Sequence, residues 1–139
     1  MIYESGEDYL ETILLLQRKN GSVRSIEIAA ELGYTKASVS RAMSILRENA
    51  FITMEAHGAI RLTEKGETRA KAIYERHQLI ARYFTEVLGV EKTIADRDAC
   101  RIEHVMSEET FSRLKAALEE AERAFPANHA LPPVRGRRV

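Results

Sequence analysis

Cysteine occurs once in this 139-residue chain, at Cys100. An internal disulfide is therefore excluded, and a single thiol suits a reducing cytoplasm. Only three prolines occur, and all fall after Phe125. No run approaches the roughly 20 apolar residues that a membrane-spanning helix needs. The first nine residues are acidic and lack an apolar stretch behind a basic one, so they do not read as a secretory signal. Net charge is zero, which argues against a blanket binder of polyanions. Internal repeats and low-complexity tracts are also absent.

What is present is an uneven charge distribution. Residues 1–17 carry Glu4, Glu7, Asp8 and Glu11 without a lysine or arginine. Residues 18–47 carry Arg18, Lys19, Arg24, Lys36, Arg41 and Arg47 against Glu27 and Glu31. A neutral chain with one basic face is compatible with a dimer that touches DNA on one side only.

Hydrophobic spacing predicts a mainly α-helical chain. Leu10, Ile13, Leu14 and Leu16 place a first helix over about 6–19, with Ser5 as its N-cap. Ser25 is expected to cap a short helix to Leu32, and Gly33 permits a tight turn. Thr35 caps a third helix from Lys36 to about Asn49, with Val39, Ala42, Met43, Ile45 and Leu46 available to the core. Residues 51–55 and 59–63 read as two strands around a glycine-containing turn. Helix, turn, helix, then hairpin is the order of a winged helix-turn-helix. A long fourth helix, capped by Thr63, is expected from Glu64 to Leu88, a fifth from Lys92 to Met106, and a sixth from Ser107 to about Ala124. These elements suggest a DNA-binding domain over 1–63 and a helical domain over 64–125. A tail over 126–139 reads as extended or disordered.

In a helix-turn-helix the second helix enters the major groove and presents its N-terminal residues to the bases. Here those residues are Thr35, Lys36, Ala37, Ser38, Ser40 and Arg41. They are small, polar or basic, so the backbone can approach DNA. Arg41 suits guanine, Ala37 a thymine methyl, and Lys36 and the hydroxyls of Thr35 and Ser38 suit phosphates. A solvated helix face would have the same composition, and the hairpin that follows favours DNA.

The stretch 98–107 reads DACRIEHVMS. Cys100, Glu103 and His104 stand at i, i+3 and i+4 and project from one helical face. Thiolate, carboxylate and imidazole are ligands that a first-row transition metal accepts. Asp8 and Glu11 share a face of the first helix, and His77 lies mid-way along the fourth. Together these six groups could fill one or two metal sites. Each has a plainer role available. Asp8 could complete a capping box with Ser5, Glu11 could be solvated or paired with Arg18 or Lys19, and Cys100 could be a small core residue.

The strings EDYLETI (7–13), LTEKG (62–66), ERHQLIARYF (75–84) and above all ACRIEHVMS (99–107) resemble the DtxR/MntR family, the diphtheria-toxin-repressor-like regulators of iron and manganese uptake. The resemblance covers about residues 5–125. It implies an N-terminal winged helix-turn-helix joined to a C-terminal helical metal-binding and dimerisation domain. It further implies a metal-activated, cytoplasmic, homodimeric repressor that binds a double-stranded operator with twofold-related half-sites. The implied ligands of Fe(2+) or Mn(2+), one or two per subunit, are Asp8, Glu11, His77, Cys100, Glu103 and His104. Asp8 and Glu11 resemble the manganese branch, as does a length that leaves out an SH3-like domain. Cys100 resembles the iron branch. The position of an ancillary carboxylate in that branch is Ala81 here, which speaks against an ancillary site of that type; Asp96, one turn before Cys100, could contribute to a second site.

Two other classes compete with this reading. A metal-independent winged-helix regulator, for instance one sensing oxidation at Cys100, would bind DNA regardless of chelators. A di-iron enzyme would need Glu-x-x-His pairs on two helices of a bundle. Glu103 and His104 are adjacent, and a DNA-reading head has no role there, so an enzyme is not expected.

Overall fold

The computed structural model describes residues 4–124. The tail expected over 126–139 lies outside them. The chain divides into two compact units between Tyr74 and Glu75.

The first unit contains α1 (Glu4–Asn20), α2 (Ser25–Leu32), α3 (Lys36–Glu48), β1 (Ile52–Met54) and β2 (Ile60–Leu62), followed by the first half of α4 (Glu64–Arg82). Six consecutive α1 residues, Tyr9 to Leu14, are buried. A half-exposed helix would expose part of such a run, so α1 is a central element and packs on α2, α3 and β2. Leu10, Ile13, Ile28, Val39, Met43, Leu46, Ile52 and Ile60 form the heart of the core. The strands pair antiparallel with Ile52 opposite Leu62 and Met54 opposite Ile60. Val23 bridges to Ile60 and ties the α1–α2 link to this hairpin.

The four capping expectations meet different outcomes. The Thr35 hydroxyl accepts from the Ser38 amide at 3.1 Å, and Thr63 accepts from Gly66, also at 3.1 Å, as N-caps should. Ser5, by contrast, lies inside α1, so it neither caps that helix nor forms a capping box with Asp8. Ser25 is likewise the first residue of α2. The cap is Arg24, whose backbone N–H donates to the Glu27 carboxylate at 3.0 Å, so this end is closed by an acid reaching back to the cap amide and not by a serine hydroxyl. Ile45 is 48% exposed and not a core residue, because Val39, Met43 and Leu46 already fill the inward stripe of α3.

Gly66 is fixed by space. A Cβ there would lie 1.9 Å from the Phe51 carbonyl oxygen. The first turn of α4 therefore rests directly on the backbone at the start of the hairpin, where Thr63 also donates to the Ala50 carbonyl at 2.6 Å.

The second unit comprises the rest of α4, a π-helical turn at Tyr83–Val87, α5 (Lys92–Ile102) and α6 (Glu108–Ala124). Ile80, Ala81, Ala99 and Phe111 form its core, with Leu79, Phe84, Ile102, Met106 and Leu114 packed against it. Two boundaries differ from expectation. The fourth helix does not continue as an α-helix to Leu88. It widens into the π turn, closed by Leu88 N–H to Tyr83 C=O at 3.2 Å, and Phe84 packs on the core from that turn. The fifth ends at Ile102 and not at Met106, because Ser107 opens a new helix and accepts from the Thr110 amide at 3.1 Å.

Candidate metal centre and nucleic-acid interface

His77 projects from α4 and Cys100 from α5, while Glu103 is the C-cap of α5. Glu103 keeps helical dihedrals (φ −56°, ψ −29°), so its i, i+3 relation to Cys100 survives the end of the helix. His104 lies one residue further, in the turn to α6, so Cys100, Glu103 and His104 do not share one continuous helical face as the spacing predicts.

Ligand atoms of His77, Cys100 and Glu103 all lie within 4.8 Å of one another. Donors bound to one metal at ~2.0–2.3 Å can be at most about 4.6 Å apart, so the three need only a small contraction to share an ion. The Glu103 side chain is fully buried, and its Oε2 lies 2.9 Å from His77 Nδ1. Its other oxygen, Oε1, is buried without a hydrogen bond. His104 Nε2 is 3.3 Å from it but outside hydrogen-bond alignment. A buried carboxylate oxygen in that condition costs free energy unless a cation or donor satisfies it. Cys100 is exposed, so it is not the small core residue that the plainer reading offered. The site is thus closed at Glu103, between two imidazoles, and open to solvent at the thiol. The donor set of imidazole, thiolate and carboxylate fits a first-row divalent transition metal.

The remaining candidates fall as follows. Asp8 is half-buried and Glu11 is 8% exposed, one turn apart on α1 in the first unit, so Glu11 is not the solvated acid that its plainer reading described. Asp96 Oδ1 lies 3.9 Å from His77 Nε2, and its Oδ2 accepts from Lys92 at 2.9 Å. Ala81 is buried in the core and offers no ligand. Ile73 and Ile80 are buried within the first and second unit respectively.

On the first unit, Thr35, Lys36, Ala37, Ser38, Ser40 and Arg41 are all exposed, while Val39, Met43 and Leu46 of the same helix are buried. Each buried aliphatic contributes about 1.5–3 kcal/mol. The inward stripe alone therefore holds α3 in place, and its outward face is left to bind. Lys36 and Arg41 form no ion pair among the described residues. The Thr35 hydroxyl is committed to its cap, because it also donates to Ser38 Oγ at 2.9 Å, so of the two hydroxyls it is that of Ser38 that keeps its proton for a further acceptor. The hairpin is internally neutralised. Arg61 pairs with Glu55, and that hydrogen bond holds the Glu55 carboxyl below its ordinary range. Arg24 Nη1 donates to the His57 carbonyl at 2.6 Å, which anchors the hairpin tip to the start of α2.

Sequence reasoning passed over Tyr34. It is 46% exposed directly before Thr35, and its ring meets Tyr9 edge-on at 5.9 Å. Burial, the Tyr34 charge and the Asp8 charge push the Tyr9 phenol above its ordinary value, so Tyr9 stays neutral. An exposed aromatic beside a recognition-helix cap is the signal that could have found Tyr34.

Two family models cover nearly the whole chain. The iron-dependent repressor N-terminal DNA-binding domain matches residues 1–60. The iron-dependent repressor metal-binding and dimerisation domain matches residues 63–130. An uncharacterised HTH-type transcriptional regulator of Methanocaldococcus jannaschii is 34% identical over 118 residues, which are 84% of this chain and 94% of the relative. The transcriptional regulator MntR of Escherichia coli is 37% identical over 109 residues, 78% of this chain and 70% of the relative. Among solved structures, a manganese-dependent transcriptional repressor in complex with manganese superposes with a TM-score of 0.76 at 27% identity, over 82% of this chain. The chain spans about half of that structure (52%).

Proposed function

Because the chain belongs to the iron-dependent repressor family, we propose that it is a metal-activated transcriptional repressor of iron or manganese homeostasis. The observation that carries this reading is the convergence of His77, Cys100 and Glu103 within 4.8 Å of one another, at a buried carboxylate whose second oxygen lacks a hydrogen bond. His104, against the same carboxylate, completes the set in the second unit. Asp8 and Glu11 are retained as ligands on the strength of the family resemblance.

In this reading a bound divalent ion supplies the positive charge that offsets a carboxylate and a thiolate. Glu103 and Cys100 hold the ion by charge, and His77 and His104 by neutral nitrogen. α3 reads DNA through Lys36, Ala37, Ser38, Ser40 and Arg41, with Thr35 fixing the start of the helix. The protein acts as a homodimer on a double-stranded operator with twofold-related half-sites, since a closed twofold pair presents two α3 helices at a set spacing. Linkage then requires DNA and metal to tighten one another's binding by the same factor.

One or two ions of Fe(2+) or Mn(2+) bind each subunit. The thiolate tilts the choice toward iron, although Zn(2+) and Co(2+) outrank both in intrinsic affinity. The cell's metal supply and the site's geometry therefore share in the selectivity.

The test is selection from a random duplex pool by the purified chain without oxygen, with Fe(II), Mn(II), Zn(II), Co(II) or chelator. Enrichment of twofold-symmetric sequences only with metal is the expected result. Equal enrichment in chelator would instead support the metal-independent regulator. Sedimentation of a monomer at micromolar concentration, with and without metal, would remove the homodimer.

A further inference from the structure

Arg76 directly precedes His77 on α4, and its guanidinium reaches the turn that carries Glu103 and His104. Nη1 donates to the Glu103 carbonyl at 2.9 Å and to the Met106 carbonyl at 2.7 Å. Nη2 donates to Glu108 Oε2 at 3.0 Å. The guanidinium lies 4.9 Å over the Phe111 ring, and the side chain is 15% exposed.

These two carbonyls are acceptors that the end of α5 leaves over. In a continuing helix they would receive the amides of Ser107 and Thr110. The chain turns instead, and the Thr110 amide goes to the Ser107 hydroxyl. Arg76 takes the place of the missing helical turn. A planar fork can serve two carbonyls and a carboxylate together, which a lysine ammonium on a flexible stem does less well. Arg76 also brings a positive charge to the carbonyl end of α5, where the helix dipole favours one.

We propose that Arg76 is a positioning residue of the metal centre. It fixes the 103–106 turn so that Glu103 and His104 hold their places relative to His77 and Cys100 before metal arrives. The inference rests on the metal-site reading above. Groups that orient ligands in this way influence affinity by about 10–100-fold when removed.

Co(II) binding to the intact chain tests it, read by the thiolate-to-cobalt charge-transfer band, the d–d spectrum and competition against a chelator. Arg76→Met keeps an apolar stem against Phe111 and removes every donor. It is expected to weaken Co(II) binding about 10–100-fold and to shift the d–d bands, with the protein still folded at the assay temperature. Arg76→Lys is expected to fall between this variant and the wild type, and it carries the test if Arg76→Met does not fold. A variant that melts earlier but binds Co(II) with wild-type affinity and spectrum would overturn the proposal and leave Arg76 a stability residue. The metal-site reading is checked separately. A wild-type chain without a charge-transfer band, or one whose band persists in Cys100→Ser, would overturn the site itself.

Discussion

Glu103 should stabilise the protein only when metal is present, and Glu103→Gln exposes that bargain. The carboxylate is fully buried, one oxygen meets His77 Nδ1 at 2.9 Å, and the other makes no hydrogen bond. A buried polar group left unsatisfied costs about 1–3 kcal/mol, and more when charged. The amide is nearly isosteric, retains an acceptor for the His77 N–H and carries no charge to desolvate. Apo Glu103→Gln should therefore be more stable than wild type by about 1–2 kcal/mol. For a chain of this size that is a rise in Tm of roughly 3–8 °C. Metal reverses the order. At a hundred times its Kd, a ligand that binds only the native state adds about 2.7 kcal/mol to the wild type. The glutamine variant, a poorer ligand without charge, should gain little. Thermal melts at pH 8, where an ordinary histidine is neutral, in chelator and then in excess Co(II) or Mn(II), would show the two curves crossing. If Glu103→Gln is less stable in chelator and shifts with metal as much as the wild type, Glu103 is a structural partner of His77 and the metal reading of this carboxylate is wrong.

Four further outcomes are expected. Arg41→Ala should abolish metal-dependent enrichment of a DNA sequence and leave the Tm and metal affinity unchanged; retained operator affinity in a gel-shift titration would take Arg41 out of the reading role. Cys100→Glu should raise Mn(II) activation relative to Fe(II) by replacing a soft ligand with a hard one, and an unchanged activation ratio would show that the thiol does not set selectivity. Gly66→Ala should destabilise by about 2 kcal/mol or more in a denaturant titration, because its Cβ would overlap the Phe51 backbone at 1.9 Å. Glu91 caps α5, and hydrogen bonds from Thr93 and then the Ile94 amide hold its carboxyl below the ordinary 4.5. A depressed carboxylate contributes stability that is present above 4.5 and is lost as pH falls through the lower folded value. Glu91→Ala should thus melt below wild type at pH 7, with the gap closing near the acid limit, and a gap that widens on acidification would contradict the cap.

The parts of this protein that were legible in its sequence are those set by local periodicity. Val39, Met43 and Leu46 repeat at helical spacing and define the buried face of α3, so its exposed polar residues followed by subtraction, whereas Ile45 did not. Thr35 and Thr63 were legible as caps because each is followed by a free amide three residues on. Ser5 and Ser25 carry the same side-chain chemistry but lie one residue or more inside their helices, where the cap is decided by neighbours. At the second helix the Arg24 amide goes to the Glu27 carboxylate and the Arg24 carbonyl accepts from the Glu27 and Ile28 amides, so the helix starts one residue early and takes Ser25 into it. The metal donors show the same division between local and long-range order. Cys100 and Glu103 are adjacent on one helical turn by spacing alone. His77 comes from another helix, and its 2.9 Å approach to Glu103 depends on how α4 packs against α5, which no window of sequence contains. The end of α5 at Ile102 was illegible for a related reason. DACRIEHVM can continue as a helix by propensity, but Ser107 starts α6 and Arg76, 27 residues before Glu103, accepts the role of closing the turn. Side chains on a turn held by a distant arginine take their positions from tertiary packing as well as from local spacing, so a change at the arginine can move them without a change in the turn's own sequence. That is the physical reason to look for selectivity at the 103–106 turn as well as at the thiol.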